Sequence, residues 1–339
     1  MILIAKCIKF HEFGTPNEVL KVEEKIVHPP LEGEVLVRMR MCPINPSDLI
    51  PIKGAYSHRI SLPGIPGYEG VGIVEEVGSA VSKELIGRRV LPLRGEGTWQ
   101  EFVKTAAELA VLVPNSIDDY TAAQLYINPL TAWIICTEEL KLKPGDTLLV
   151  NTCGSAIGRI FAQLARTLGF RLIAVTRNNT YTKELMELGA THVINTAGFS
   201  LQDTVMELTN GRGVDAAIDS IGGPAGAALV FCIRPNGVLL TIGLLSGIPV
   251  NWPEVTNKVN IQVKLFHLRH WNQRVSIQTW QETFNHLIEL IEQNRLKFMI
   301  SELQFNLLEI QKAVHVAESL KSNKGKVFLT LFSKDLNPC

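Results

Sequence analysis

The chain has 339 residues, of which 46% are hydrophobic and 19% are charged, and its 33 lysines and arginines balance 33 acidic residues. This length exceeds one ordinary hydrophobic core and predicts two domains. The balanced charge, without a basic stripe, argues against a nucleic-acid partner. We expect no membrane partner, because no run approaches the roughly 18 apolar residues that a spanning helix needs. The six cysteines are scattered without CxxC spacing, which indicates reduced thiols in a cytoplasmic protein.

Residues 1–122 are predicted to form a β-rich first domain, which residues 296–339 complete. Short runs of alternating hydrophobicity, separated by turns with glycine or proline, lie at 34–40, 72–77 and 89–93. The pattern becomes helical from Thr121 to Leu140. A strand pattern returns near the end of the chain, at 325–331, and we expect it to rejoin the first domain.

A strand–helix–strand unit lies early in the second predicted domain, residues 123–295. The short apolar run at 147–151 is bounded by turn signals and is typical of a buried parallel strand. Apolar residues at spacings of four between 160 and 168 then predict a helix, with Gly169 as its C-cap. A second apolar run at 172–175 closes a βαβ unit.

The loop between this strand and this helix reads Gly154-Ser-Ala-Ile-Gly158. Loop amides and a helix N-terminus point at whatever lies above the strand end, an arrangement that suits a pyrophosphate. The glycine pattern of a dinucleotide fingerprint, G-x-G-x-x-G, is incomplete, although Ser155 and Ala156 are small enough to let a ligand approach. A dinucleotide site and a plain strand-to-helix turn therefore both stay open for this loop.

The residues after the second strand of this unit indicate which dinucleotide would bind. An NAD enzyme carries Asp or Glu about 20 residues after the glycines, whereas this chain has Thr176-Arg-Asn-Asn179. A missing carboxylate and a present guanidinium favour a 2′-phosphate, and hence NADPH over NADH. The alternative is that Arg177 is a solvated surface residue.

Strand and helix patterns alternate through the rest of the second domain. Further strands are predicted at 192–195, 214–219, 237–243 and 263–268, and further helices at 182–188, 201–208, 226–233 and 276–295. Repeated βα units of this kind indicate an α/β fold with a doubly wound parallel sheet.

Five segments together carry a resemblance to a known family. They read Gly67-Tyr-Glu-Gly-Val-Gly72, Lys143-Pro-Gly-Asp146, Leu188-Gly-Ala-Thr-His-Val-Ile-Asn195, Asp219-Ser-Ile-Gly-Gly223 and Gly325-Lys326. With this order and spacing, the chain resembles the zinc-free branch of the medium-chain dehydrogenase/reductase superfamily along nearly its whole length. Within that branch it is similar to the quinone oxidoreductases and the 2-enoyl thioester reductases. The resemblance implies a GroES-like β-rich catalytic domain and a Rossmann domain.

The resemblance also predicts that no metal is bound. The zinc alcohol dehydrogenases of the superfamily carry Cys where this chain has Asn45, and His where it has Tyr68. Of their usual ligands only Glu69 remains, and a catalytic zinc needs three protein ligands that converge. Cys42, three residues before Asn45, is interpreted as a packed core thiol. Without zinc to polarise an alcohol oxygen, we do not expect alcohol oxidation.

The reaction that the resemblance implies is hydride transfer from NADPH to an activated C=C bond or to a quinone, each a small-molecule acceptor. Negative charge then develops on the carbonyl oxygen of the acceptor, which needs a hydrogen-bond or proton donor. Tyr56 stands in the Gly-x-Tyr context in which the enoyl thioester reductases place their donor, and a free tyrosine, with a pKa near ~10, is protonated at neutral pH. A role for Tyr56 as a pocket wall, as in quinone reductases, also stays open.

Four further segments look more like the 2-enoyl thioester reductases than the quinone reductases. They are Asn45-Pro-Ser-Asp48, Gly97-Thr-Trp99, Asn128-Pro-Leu-Thr-Ala132 and Phe266-His-Leu-Arg-His-Trp271. The chain departs from the family pattern at His267 and Arg269, and at Ala156, where members usually have glycine.

Carried over residue by residue, the resemblance implies two catalytic residues, Tyr56 as the donor and Asn128 as a residue that positions the acceptor. It also implies contacts with the pyrophosphate, the 2′-phosphate and the nicotinamide of NADPH. These belong to Asn45, Asn128, Thr131, Gly154, Ser155, Ala156, Ile157, Arg177, Asn178, Asn179, Ile242, Gly243, Leu244, Leu245, Phe266, His267, Leu268 and Lys326.

The strand at 237–243 resembles the edge through which family members pair their Rossmann sheets, which implies a homodimer. Two alternative functions stay open. One is a general quinone or enone reductase without thioester specificity, in which Tyr56 is only structural. The other is a protein that binds NADPH but has no catalytic activity.

Overall fold

This computed structural model describes residues 3–256, 259–300, 303–319 and 325–331 of the chain. The chain divides into two compact units: unit 1 comprises Met1–Ile127 and Ser276–Cys339, and unit 2 comprises Asn128–Val275. The two borders differ from the sequence-based ones at 122/123 and 295/296. The second border differs because the long helix at 277–292 belongs to unit 1. There the rings of Trp280 and Phe284 lie 5.8 and 6.3 Å from the ring of Tyr126.

The elements are numbered in chain order. The strands in the described residues are β1 (Leu3–Lys9), β2 (Lys21–Val27), β3 (Glu34–Pro43), β4 (Val71–Val77), β5 (Arg89–Pro92), β6 (Phe102–Ala106), β7 (Ala110–Leu112), β8 (Thr147–Val150), β9 (Arg171–Thr176), β10 (His192–Asn195), β11 (Val214–Asp219), β12 (Ile233–Thr241), β13 (Gln262–Leu265), β14 (Gln304–Asn306) and β15 (Phe328–Thr330).

The α-helices in the same residues are α1 (Pro16–Val19), α2 (Pro46–Ile52), α3 (Asp119–Ala123), α4 (Ile127–Ile134), α5 (Ala156–Leu168), α6 (Thr182–Leu188), α7 (Leu201–Leu208), α8 (Gly223–Val230), α9 (Trp252–Thr256), α10 (Leu268–Arg274), α11 (Ile277–Glu292) and α12 (Ile310–Ser319). Among these described helices, none combines the length and the apolar content that crossing a membrane requires.

The predicted helix bounds were correct where a clear stop signal stands in the sequence. Gly169 caps α5 in the left-handed conformation with φ 80°, as predicted, and α6 ends at Gly189. In contrast, α8 begins three residues before the predicted start at 226, because Pro224 presets the backbone of its first turn. The predicted helix over 121–140 is interrupted, since α3 ends at Ala123 and Ile135–Glu139 form a π-helical turn.

Unit 1 is built on a 7-stranded sheet with the order β14-β15-β3-β4-β5-β7, in which β6 also pairs with β3. Strand β15 runs antiparallel to β3, with Leu329 opposite Cys42, so the strand near the end of the chain rejoins the first domain as predicted. The core of this unit includes Val37, Met39 and Trp99, each fully buried. The observed sheet confirms the β-rich first domain.

Unit 2 contains a 6-stranded sheet with the order β10-β9-β8-β11-β12-β13, and every pair in it is parallel. Numbered from β8, this is the order 3-2-1-4-5-6 of the Rossmann fold, which confirms the predicted doubly wound sheet. All residues of β8 are buried, because helices cover both faces of such a sheet.

One prediction about this sheet was wrong. The strand at 237–243, predicted to be the edge that pairs in a dimer, is part of β12 and lies between β11 and β13. Strand β13 stands at that edge in the part of the chain that the structure describes, and it ends at Leu265 rather than at 268. It ends there because His267 caps α10, which begins at Leu268.

Candidate active site

Most of the predicted cofactor residues follow strand ends of unit 2. Gly154, Ser155, Ala156 and Ile157 follow β8, Arg177, Asn178 and Asn179 follow β9, Ile242, Gly243, Leu244 and Leu245 follow β12, and Phe266, His267 and Leu268 follow β13. Because the strands are parallel, these loops lie along one side of the sheet, here called the carboxyl edge. Dinucleotides bind at this edge of a Rossmann sheet.

The loop after β8, residues 152–155 (the glycine loop), turns sharply into α5. Thr152 adopts a left-handed conformation with φ 53°, and Ser155 caps α5 by accepting a hydrogen bond from the Gly158 N–H at 3.3 Å. A Cβ added to Gly158 would lie 2.4 Å from Cys153 Cα, so only glycine lets the helix start against the loop. The Ser155 N–H is donated to the Thr152 carbonyl at 2.9 Å within the loop. The loop therefore ends at the N-terminus of α5, whose first N–H groups suit a pyrophosphate.

A polar pair, which the sequence-based reasoning missed, lies beside this loop. Asn151 Nδ2 donates to Asp219 Oδ1 at 2.6 Å, and the N–H of Ser220 donates to Asn151 Oδ1 at 2.8 Å. Asp219 is fully buried and also accepts hydrogen bonds from the N–H groups of Ile221 and Gly222. The pair joins β8 and β11, the strands between which the sheet order reverses. The sequence does contain a signal for this pair, because Asn151 and Asp219 each follow directly after a short apolar run.

The loop after β9, residues 177–179 (the arginine loop), is exposed. The guanidinium of Arg177 makes no hydrogen bond and no ion pair with any described residue, so it is available to a ligand. The Asn178 side chain instead fixes the local turn, because its Oδ1 accepts a hydrogen bond from the Thr180 N–H at 3.0 Å.

The loops after β12 and β13 differ in exposure. Leu244 and Leu245 are exposed, with Leu245 held by a 3.0 Å hydrogen bond from its N–H to the Ser220 carbonyl. Phe266 is buried, and its N–H donates to the Thr241 carbonyl at 2.9 Å. His267 Nδ1 accepts a hydrogen bond from the Arg269 N–H at 3.1 Å, so this ring serves as a helix cap.

The remaining predicted residues of unit 2, Asn128 and Thr131, lie on α4 and not on a strand end. They are one helical turn apart, both half-buried, and so share a face of the helix. The structure therefore places them together, and their contact with the cofactor stays a prediction.

The predicted residues of unit 1 meet around the buried carboxylate of Glu69. Its Oε1 accepts a hydrogen bond from Asn45 Nδ2 at 2.7 Å, and Lys326 Nζ lies 3.4 Å from the same oxygen. Its Oε2 accepts from the N–H groups of Tyr126 and Ile127 at 3.2 and 2.7 Å. Asn45 and Lys326 thus satisfy a buried carboxylate, and the cofactor contacts predicted for them stay predictions.

This donor set does not suit a metal ion. The two oxygens of Glu69 are already engaged, and the ammonium of Lys326 repels a second cation. Cys42 is fully buried and donates to the Thr98 carbonyl at 3.2 Å, and burial raises the pKa of its thiol. The described residues hold no group of three or more His, Cys, Asp or Glu side chains that could bind a metal ion.

The cysteines of the described residues are unpaired thiols: Cys7, Cys42, Cys136, Cys153 and Cys232. Each is buried. Cys339 lies outside the described residues, so the predicted reduced state of that thiol is not addressed by the structure.

A second buried carboxyl, Asp48, lies beside Glu69. It accepts hydrogen bonds from the N–H groups of Asn45 and Tyr68 at 2.7 and 3.1 Å. Burial, together with the nearby charge of Glu69, raises the pKa of Asp48 to about 7, although both hydrogen bonds and the charge of Lys326 oppose the shift.

Tyr56, the predicted donor, is half-buried and precedes the short 3₁₀ helix Ser57–Arg59. The guanidinium carbon of Arg59 lies 3.9 Å from the centre of the Tyr56 ring. A cation over an aromatic face is attracted by the ring's electron density. Arg59 therefore orients the ring, which sequence-based reasoning did not anticipate.

A surface cavity of about 650 Å³ lies elsewhere in unit 2. Its lining comes from residues 200–202, 223–231 and 248–255, and includes Leu201, Phe231 and Ile248. No predicted cofactor or catalytic residue lines this cavity.

Comparisons with known proteins agree with this architecture. The family of alcohol dehydrogenase GroES-like domains matches residues 31–115, and the zinc-binding dehydrogenase family matches residues 156–293. A mitochondrial enoyl-(acyl-carrier-protein) reductase of Xenopus tropicalis is 31% identical over 278 residues, which cover 80% of this chain and 79% of that protein.

Two crystal structures extend the comparison. A Bacillus thuringiensis protein considered to be an NADPH:quinone reductase matches with a TM-score of 0.95 and 62% identity, over 97% of this chain and 100% of that one. The Escherichia coli quinone oxidoreductase, in complex with NADPH, matches with a TM-score of 0.87 and 27% identity, over 96% and 99%. The chain therefore belongs to the medium-chain dehydrogenase/reductase superfamily, in the branch of the quinone oxidoreductases and enoyl reductases. The predicted family and fold are confirmed.

The raised pKa of Asp48 makes the stability of the protein depend on pH. Because the pKa in the folded state is about 7 and that of a free aspartate is about 4, the stabilisation from this proton is complete below about pH 4 and is lost as the pH rises to about 7. We expect the free energy of unfolding of Asp48→Asn, measured by denaturant titration, to fall less steeply between pH 5 and 8 than that of the wild type. Parallel curves would contradict this expectation. Asp203→Asn, which loses one exposed carboxylate, controls for net charge.

Proposed function

We propose that this protein is an NADPH-dependent, metal-independent reductase of activated C=C bonds or quinones. The observation that carries the proposal is the exposed guanidinium of Arg177, which pairs with no described residue, on the carboxyl edge beside a glycine loop that starts a helix. An anionic pyrophosphate suits the loop, and a 2′-phosphate suits the guanidinium. The relatives named for quinone and enoyl reduction support the same reaction class.

The residues of unit 2 would hold the cofactor, which when bound supplies a hydride. The N–H groups of residues 154, 156 and 157 would hold the pyrophosphate, whereas the Ser155 N–H is already donated to the Thr152 carbonyl at 2.9 Å. Arg177 would hold the 2′-phosphate. Leu244 and Leu245, exposed after β12, offer an apolar surface that suits the nicotinamide ring. Asn128 contributes an amide that positions the acceptor.

The residues of unit 1 would stabilise the charge that develops on the acceptor. Tyr56 donates the hydrogen of its phenol to the carbonyl oxygen of the acceptor, where negative charge accumulates. Arg59, whose guanidinium carbon lies 3.9 Å from the centre of the Tyr56 ring, holds that ring in one orientation. The buried Glu69 network keeps the start of α2, at Asn45, in place, and α2 leads into Tyr56.

Thioester and quinone acceptors can be separated by experiment. NADPH oxidation, followed by absorbance, would be measured with crotonyl-CoA and with 9,10-phenanthrenequinone in parallel. A faster thioester reaction supports an enoyl thioester reductase, a faster quinone reaction supports a general quinone reductase, and NADPH binding without either reaction supports a catalytically inactive protein.

Tyr56→Phe should lower the rate constant for reduction by about 10²-fold or more, because the hydroxyl that donates in the transition state is gone. The measurement is kcat with the better of the two acceptors, and the dissociation constant of NADPH should not change. Tyr120→Phe, whose hydroxyl receives a hydrogen bond from Gln304, is the matched control. An unchanged kcat in Tyr56→Phe would show that this tyrosine is only a wall of the pocket.

Arg177→Ala should weaken NADPH binding by about 10- to 100-fold and leave NADH binding unchanged, because only NADPH has the 2′-phosphate. Isothermal titration of each cofactor measures the two dissociation constants. Arg171→Ala, which removes an exposed arginine at the start of β9, is the control. Equal losses for both cofactors, or none, would show that Arg177 is a solvated surface residue.

The predicted homodimer also remains part of this proposal, with β13 in place of the strand first expected. All residues of β13 are exposed, among them Val263 and Leu265. The N–H of Phe266 points toward β12, so by alternation the N–H of Lys264 does too and that of Val263 points outward. Two copies could pair through this edge.

The cytoplasmic location predicted from the sequence stays a prediction.

Val263→Pro should convert a dimer into a monomer, because proline removes an outward N–H while leaving the N–H groups that pair with β12 intact. Light scattering after size-exclusion chromatography measures the mass. Val263→Thr, which keeps the N–H, should stay dimeric. A wild type that is monomeric, or a dimer that survives the proline, would contradict pairing through β13.

A further inference from the structure

Arg159 is a buried arginine on α5, one turn after the glycine loop, and only 5% of its surface is exposed. Its Nε and Nη2 donate to the two carboxylate oxygens of Glu184 at 2.7 and 2.8 Å, a bidentate ion pair. Its Nη1 donates to the carbonyl oxygen of Gly154. The guanidinium therefore holds the glycine loop on one side and α6 on the other. The same hydrogen bonds lower the pKa of Glu184.

Tyr181 completes this arrangement. The guanidinium carbon of Arg159 lies 4.6 Å from the centre of the Tyr181 ring, and the ring is buried. A Cβ added to Gly154 would lie 2.6 Å from Tyr181 Cδ2, so the ring packs directly against the glycine loop. Tyr181 ends the short 3₁₀ helix that begins at Asn179, the last residue of the arginine loop. The guanidinium and the ring thus contact the glycine loop directly, and the short 3₁₀ helix connects Tyr181 to the arginine loop.

We infer that Arg159, Glu184 and Tyr181 form a clamp that holds the glycine loop and the arginine loop at a fixed distance from each other. One cofactor can then bind both loops at once, with its pyrophosphate at the first and its 2′-phosphate at the second. Arg159 is then a positioning residue that sets the preference for NADPH over NADH without touching the 2′-phosphate. The inference rests on the proposed function, in which NADPH is the cofactor.

Preorganisation of the two loops connects the clamp to the cofactor preference. When a ligand must order two loops as it binds, the free energy of ordering them lowers its affinity. Loops that are already held in place impose no such cost. NADH needs only the glycine loop, while NADPH also needs the arginine loop at a fixed distance from it. Loss of the clamp should therefore penalise NADPH more than NADH. Burial of an arginine in helix α5 is expensive unless it is fully paired, and here each of its three nitrogens has an acceptor.

The first test compares Arg159→Met with Arg166→Met. Arg166 lies on the same helix, is exposed and donates to the Glu187 carbonyl, so it is a matched control. We expect Arg159→Met to weaken NADPH binding by about 10-fold or more and NADH binding by much less, as measured by isothermal titration. Equal losses for the two cofactors would overturn the inference, because a merely structural arginine would affect both alike.

The second test needs no cofactor. Hydrogen–deuterium exchange of the cofactor-free protein would follow the amides of residues 152–158 and 177–181. Arg159→Met should speed exchange in both segments, and Arg166→Met in neither. Unchanged exchange in the arginine loop would overturn the inference. This readout is independent of which cofactor the wild type prefers, so a failure of the proposed NADPH preference can be told apart from a failure of the clamp.

The third test is a double-mutant cycle. If the clamp positions Arg177, then Arg177→Ala should weaken NADPH binding far less in the Arg159→Met background than in the wild type. An equal effect in both backgrounds would show that the loops act independently. Should Arg159→Met fail to fold, Glu184→Gln tests the same linkage, because it keeps the volume of the side chain and removes its charge. For Glu184→Gln, the cofactor affinities, the hydrogen–deuterium exchange and the double-mutant cycle decide for or against the inference in the same way.

Discussion

The hydrogen bond from Asn151 to Asp219 joins the two strands between which the sheet order of unit 2 reverses. It spans 2.6 Å, and Asp219 is fully buried. A buried carboxylate is stable only when its oxygens are hydrogen-bonded, and this one also orders the N–H groups that start the loop before α8. The glycine loop follows directly from Asn151. The glycine loop and the loop before α8 border the crevice of the Rossmann sheet. The hydrogen bonds of Asn151 and Asp219 therefore hold the start of each loop in place without a ligand.

In unit 1, the buried carboxylate of Glu69 is stabilised by a different set of hydrogen-bond donors. The position that holds metal ligands in zinc relatives here holds an amide, an ammonium and two backbone N–H groups, all directed at one buried carboxylate. The positive charge comes from Lys326, 257 residues away in the chain. This network leaves no open carboxylate for a cation, and it agrees with a reaction in which hydrogen-bond donors, rather than a metal, stabilise the charge on the acceptor.

The sequence predicted the Rossmann sheet well, because its strands are short apolar runs that end at polar or glycine residues. Strand β10, helix α7 and strand β11 have the predicted bounds. The edge of the sheet was predicted wrongly, since strand order depends on pairing and not on pattern. The Glu69 network and the Arg159 clamp could not be predicted, because their members are distant in sequence and each looks like an ordinary polar residue. Arg177 could be predicted, because its position after β9 is fixed by the fold.

The most direct measurement is the crystal structure of the protein in complex with NADP⁺. We expect the pyrophosphate to lie against the N–H groups of residues 154, 156 and 157, and oxygens of the 2′-phosphate to lie within about 2.7–3.2 Å of the Arg177 guanidinium. A nucleotide bound away from the carboxyl edge of unit 2, or a 2′-phosphate that faces solvent with Arg177 elsewhere, would contradict it.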